Sequence, residues 1–110
     1  MMRQVRTFRI VRAEPFVKWL NGLRDAKTVN SIERRISRLA VGNFGDSKGV
    51  SDRVSEVRID IGPGYRVYFT RVGNAIVVLL GGGDKSSQSR DIVAAKSLIS
   101  KVEDIIRGTE

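Results

Sequence analysis

Between Glu56 and Leu80 the chain repeats one device three times, and this limits its fold more than any other feature. Val57, Ile59 and Ile61 alternate with Glu56, Arg58 and Asp60, the two-residue period of a strand with one apolar face. Gly62-Pro63-Gly64 turns the chain, and Tyr65 to Val72 alternates again, with Val67 and Phe69 opposing Arg66, Tyr68 and Thr70. Gly73-Asn74 makes a hairpin turn, and AIVVLL from Ala75 to Leu80 is apolar on both faces, as a central strand is. Three strands joined by tight turns form an antiparallel meander that needs a cover for its apolar side.

The flanks supply that cover. Residues 5–12 (VRTFRIVR) read as a strand at a sheet edge. Glu14-Pro15 opens a helix with an apolar stripe of Phe16, Trp19, Leu20 and Leu23. Phe16 and Trp19 are expected in the core. Asp25 caps a second helix carrying Val29, Ile32, Ile36 and Leu39, which Gly42-Asn43 ends. The two helices are close enough in sequence to form a helical hairpin, with Lys27, Arg34, Arg35 and Arg38 on its outer face. Residues 42–53 read as a polar, glycine-rich connection, and 81–90 (GGGDKSSQSR) as a loop. Asp91 caps a last helix with Ile92, Ala95, Ile99, Val102 and Ile106 along one side. The expectation is one α+β domain over 1–110, ordered β-α-α-β-β-β-α. Its mainly antiparallel, twisted sheet is covered on one face by the hairpin, and Arg58, Arg66 and Tyr68 project from the open face.

Composition removes several chemistries. The 110 residues include no histidine and no cysteine, which excludes His-based triads, histidine metal sites, thiol nucleophiles and disulfides. Absence of cysteine fits a reducing cytoplasm. The apolar run from Ala75 to Leu80 is far short of the roughly 20 residues of a membrane span. The N-terminus has no continuous apolar stretch, so no signal peptide is expected. Neither a P-loop nor a dinucleotide fingerprint is present, and no carboxylate pair marks a metal or glycosidase site. No cofactor is therefore expected. The net charge of +8 points instead to a polyanionic partner. Arg3, Arg6, Arg9 and Arg12 recur every third residue, matching neither face of a strand, and add only basicity.

One constellation stands out. Glu56 and Arg58 point the same way on one strand, as do Arg66 and Tyr68 on the next, and the Gly62-Pro63-Gly64 turn brings Arg66 near Arg58. Lys85 follows the central strand, and Lys48 lies on the loop entering the sheet. Arginines on the wet side of a sheet are commonplace, and Glu56 can simply pair with one across the strands. Gln88 and Asp84 can simply cap the loop before the last helix. Arg58, Arg66 and Lys85 together nevertheless make a cation cluster that calls for an anion, and guanidinium groups fit phosphate in two-pronged fashion. Tyr65 or Tyr68 offers a ring for a base, although Tyr65 shares a face with Val67 and can belong to the core. Such a set is enough to cleave RNA without metal. The substrate's own 2′-hydroxyl attacks, a lysine crowded by arginines (Lys85 or Lys48) takes its proton, and Arg58 and Arg66 stabilise the phosphorane. The products are a cyclic phosphate and a 5′-hydroxyl.

The segments FVKWLNGLRD, RRISRLAVGNFGDSKGV, SEVRIDIGPGYRVYF and VVLLGGGDKSSQSRDI, nearly the whole chain, resemble the RelE/ParE superfamily of bacterial toxins. GPGYRVYF followed by LLGGGDKSSQ resembles most its HigB-like, phage-derived addiction module killer protein branch. The resemblance implies a RelE-like fold and the toxin of a type II toxin–antitoxin module. Such a toxin cleaves mRNA on the ribosome in the cytoplasm and is silenced by a co-expressed antitoxin, a small helix-turn-helix protein. By position it makes Arg58, Arg66 and Lys85 catalytic; around them Lys48, Glu56, Tyr65, Tyr68 and Gln88 are expected to contact the substrate. Several members use a histidine or a C-terminal tyrosine; this chain has no histidine and no tyrosine in its last helix, so the residue that protonates the leaving oxygen is unassigned. Two alternatives follow from the same resemblance: a ParE-like inhibitor of DNA gyrase without catalysis, and an inactive module that only binds its antitoxin.

Overall fold

The computed structural model describes residues 7–110. Its sheet has five strands, β1 (Arg9–Arg12), β2 (Ser47–Ser51), β3 (Val54–Ile59), β4 (Tyr65–Val72) and β5 (Ile76–Asp84). They lie in the order β1-β5-β4-β3-β2. β1 is an edge strand, as its arginine-rich sequence implies, and runs parallel to β5; all other pairs are antiparallel. Residues 5 and 6 of the expected first strand, together with Arg3, lie outside the described residues.

Helix α1 (Glu14–Asn21) follows β1 directly, with Pro15 in its first turn. α2 (Ala26–Ala40) starts where the Asp25 side chain accepts a hydrogen bond from the Lys27 amide. Both helices bury their stripes on one face of the sheet. There Phe16, Leu20, Ile32, Ile36 and Leu39 pack with Val57, Ile59, Val67, Phe69, Val77 and Leu79. Trp19 is half-buried at the margin of this cluster, its ring tilted against that of Tyr65 with ring centres 6.3 Å apart.

Three expectations require correction. Residues 42–53 are not all connection: β2 forms there, pairing Lys48 with Glu56 across to β3. SKGVS holds a single apolar residue, so no alternation announces the strand; its hydrogen-bonding partner creates it. Second, the glycines 81–83 are strand, because β5 continues to Asp84. A β-carbon on Gly82 would lie 2.2 Å from the Trp19 ring, and one on Gly83 would lie 1.8 Å from the Asp91 carboxylate. These two positions are glycine because neighbours from opposite faces occupy the space.

Third, the sheet's other face is not open. The last helical segment begins at Gln88, not Asp91, and is divided into α3 (Gln88–Ser97), a 3-10 turn (Ile99–Lys101) and α4 (Val102–Arg107). Asp84, rather than Asp91, caps the entry by accepting from the Ser86 amide, while Asp91 accepts from the Ser87 hydroxyl. α3 and α4 seal a second core of Val11, Val54, Tyr68, Val78, Leu80, Ala95, Val102 and Ile106. β5, apolar on both faces, is therefore central between two layers. The protein is α+β, with a mixed sheet between helices on both sides.

Candidate functional site

At the end of the sheet where β3 turns into β4, the second face changes from apolar to charged. The register sets Arg58 opposite Arg66, and Arg66 opposite Gly83; one step along, Glu56 faces Tyr68. Two arginines directly opposite each other repel. Glu56, fully buried, resolves the repulsion: its Oε2 accepts from Arg58 Nε at 2.9 Å and lies 3.6 Å from Arg66 Nε. Its Oε1 accepts from the Gln88 amide at 2.9 Å. A buried carboxylate is tolerable only when paired and hydrogen-bonded, and here three side chains supply that. The bond to Glu56 raises the Arg58 pKa above its ordinary value, so Arg58 stays charged.

Beside this group lies a pocket of about 430 Å³ lined by Arg58, Tyr65, Arg66, Lys85 and the turn from Asp60 to Gly64. Gly62 and Gly64 adopt positive φ (55° and 80°), conformations that favour glycine and keep the turn tight. The Lys85 amide donates to the Gly64 carbonyl, tying the start of the 3-10 turn Lys85–Ser87 to the pocket wall. Arg58 and Lys85 are exposed there, Arg66 is only 7% exposed, and Tyr65 is half-buried. Arg66 Nε has no hydrogen-bond partner among the described residues. Beside Arg66, Asp84 has its pKa held below the carboxylate range, chiefly by the Ser86 hydroxyl and amide.

The sequence-derived set therefore separates. Arg58, Arg66, Lys85 and Tyr65 meet in one pocket. Glu56 stands behind them as the group that fixes both arginines. Gln88 is committed to Glu56 rather than presented to solvent. Tyr68, expected on an open face with a ring for a base, is instead fully buried under α3. Burial first, then the nearby charges of Glu56 and Asp91, pushes its pKa up to about 12, and its hydroxyl has no partner among the described residues. Lys48 is exposed on edge strand β2, beside Glu56 in the register but outside the pocket. Sequence reasoning missed Asp60, a carboxylate in the pocket wall; its place at the end of the alternating run was the available signal. Among the described residues no three His, Cys, Asp or Glu side chains could together hold a metal ion, and no helix is long and apolar enough to cross a membrane.

Fold and pocket define an α+β protein with a cationic cleft at one end of its sheet, organised by a buried carboxylate. No family model matches the chain. A protein of Haemophilus influenzae described as uncharacterized is 45% identical over 96 residues, covering 87% of this chain and 97% of that protein. The chain belongs to the family of that protein.

Proposed function

We propose that this protein is a RelE-like toxin of a type II toxin–antitoxin module that cleaves mRNA on the ribosome. The observation that carries this reading is the convergence of Arg58, Arg66, Lys85 and Tyr65 on one pocket. A scissile phosphate enters between the two guanidiniums, whose fork geometry matches its oxygens. Glu56 holds both arginines before substrate arrives, so their charge is preorganised for the phosphorane. Tyr65 stacks on a base, and Lys85, the lysine in the pocket, takes the proton of the attacking 2′-hydroxyl. The oxygen–phosphorus bond to the 5′-oxygen breaks as the cyclic phosphate closes, and water protonates the leaving oxygen. With no strong acid at that position, free RNA is a poor substrate, and alignment by the ribosome supplies what the pocket lacks. A cognate antitoxin, a small helix-turn-helix protein, silences the toxin in the cytoplasm.

The engagement of Arg58 and Arg66 by Glu56, with the near-burial of Arg66, favours a second reading: a module without chemistry that binds gyrase or only its antitoxin. Mapping mRNA 5′ ends after brief induction separates them. Under the first reading new 5′-hydroxyl ends appear within coding regions and disappear in Lys85→Ala, an exposed position whose change spares the fold, and in Arg66→Ala. Intact mRNA with inhibited supercoiling establishes the gyrase reading, and unimpaired growth on strong induction establishes the inactive module.

A further inference from the structure

A second groove adjoins the pocket. It measures about 370 Å³ and is lined by Arg34, Arg35 and Arg38 of α2 with Ile59, Asp60 and Ile61; Asp60 and Ile61 also line the pocket holding Arg58 and Lys85. The two depressions thus share a stretch of wall at the end of β3, and a strand filling both must bend there. Arg34 and Arg38 stand at i and i+4 on the same face of α2, where like charges repel. Both are exposed, and neither has an ion-pair partner among the described residues. Elsewhere some exposed cations are paired, Arg12 with Glu33, Lys18 with Glu14 at 3.1 Å and Arg107 with Asp104 at 3.7 Å, whereas Lys48, Lys85, Lys96 and Lys101 are exposed and, like Arg34 and Arg38, have no ion pair among the described residues. Within the groove itself Arg35 binds Asp46 at 2.7 Å, which pins the wall, while Arg38 acts on the same carboxylate only at longer range. Asp60 is the one carboxylate lining either depression, and it stands in their shared wall.

We infer that Arg34 and Arg38 bind backbone phosphates of the same single-stranded RNA whose scissile phosphate enters the pocket, the strand passing around the Asp60–Gly64 turn. The inference rests on the RNA reading of the pocket and extends it from one phosphate to a path. Three features select RNA over an acidic peptide. The cations occur at intervals along the two depressions, guanidiniums match phosphate oxygens, and Tyr65 provides a ring for an unstacked base beyond their shared wall. Asp60 faces the passing phosphates and weakens binding, a brake that helps product leave.

The test is fluorescence anisotropy with a fluorescein-labelled, 2′-O-methyl oligouridylate of about 12 nucleotides, which binds but offers no 2′-hydroxyl for cleavage. Each phosphate contact to a single strand contributes about 0.7 to the slope of log affinity against log salt. The Arg34→Ala/Arg38→Ala double variant should lose about 1.4 of that slope, and Asp60→Asn should bind several-fold tighter. Lys96→Ala/Lys101→Ala, which removes two exposed cations from the far helices, should keep the parent slope. An unchanged slope in the α2 variant overturns the path. So does an equal loss in the Lys96/Lys101 control, or binding of polyglutamate in place of the oligonucleotide. Cleavage is read separately, on ribosome-bound mRNA with the all-ribose message. A slope loss with no cleavage by the parent protein sinks the nuclease and keeps the path; cleavage with no slope loss does the reverse.

Discussion

The two faces of the sheet solve the same burial problem differently. Under α1 and α2 the sheet contributes only aliphatic and aromatic side chains to the core, and the buried polar group of α2, Thr28, lies at its N-terminus beside the Asp25 cap. Under α3 and α4, the core is apolar only as far as Tyr68 and then gives way to Glu56, Arg66 and Arg58. The first face supplies stability through area removed from water. The second forgoes part of that gain at one end, where it places charges that a hydrophobic isostere would improve upon for stability alone.

The contrast can be broken most severely on the apolar face. Phe69→Ala, at a site 1% exposed, should cost about 3–5 kcal/mol, read from the urea midpoint. Next comes Glu56→Ala, which leaves Arg66 buried beside an empty position and should cost roughly 3 kcal/mol. With Arg66→Met already present, the same change should cost only about 1 kcal/mol. Equal costs in both backgrounds would show that Glu56 is not the partner of Arg66.

Tyr68→Phe sharpens the comparison from the other side. It removes a buried hydroxyl without a partner, so stability should hold or rise by up to about 1 kcal/mol. In the parent, the unfolded phenol ionises near its ordinary 10.0 and the folded one only near about 12, so stability falls as pH climbs through that window. The variant should lose that component of the fall. The smallest effect belongs to the α2 cap. The Thr28 hydroxyl and then the Lys27 amide hold the Asp25 carboxyl below its ordinary 3.8. The cap therefore stabilises above pH 3.8 and is lost as pH drops through the lower folded value. Asp25→Ala should lower Tm by a few degrees at neutral pH and by nothing in strong acid.

The opposition of Arg58 to Arg66 was legible in the sequence because a two-residue period and a glycine-proline-glycine turn fix a hairpin register by counting. The apolar stripes of α1 and α2 were legible for the same reason, each being periodic. What was not legible depends on contacts between distant segments. β2 has no pattern of its own and exists through β3. The burial of Tyr68 depends on α3 docking across β4, and nothing in YRVYFTRV distinguishes a covered face from an open one. Glu56 was legible as a cross-strand partner, but its union with Gln88, 32 residues away, required the helix to be in place. The glycines 81–83 read as a loop because composition marks them so; only Trp19 and Asp91 pressing from opposite sides explain them as strand.

The most direct test of the account uses ribosomes carrying an mRNA with a single 2′-deoxynucleotide at the mapped cleavage site. The account predicts that the all-ribose message is cut to a cyclic-phosphate end while the deoxy-substituted one survives at that position. Equal cutting of both messages, or an uncut all-ribose message in the presence of folded protein, would contradict it.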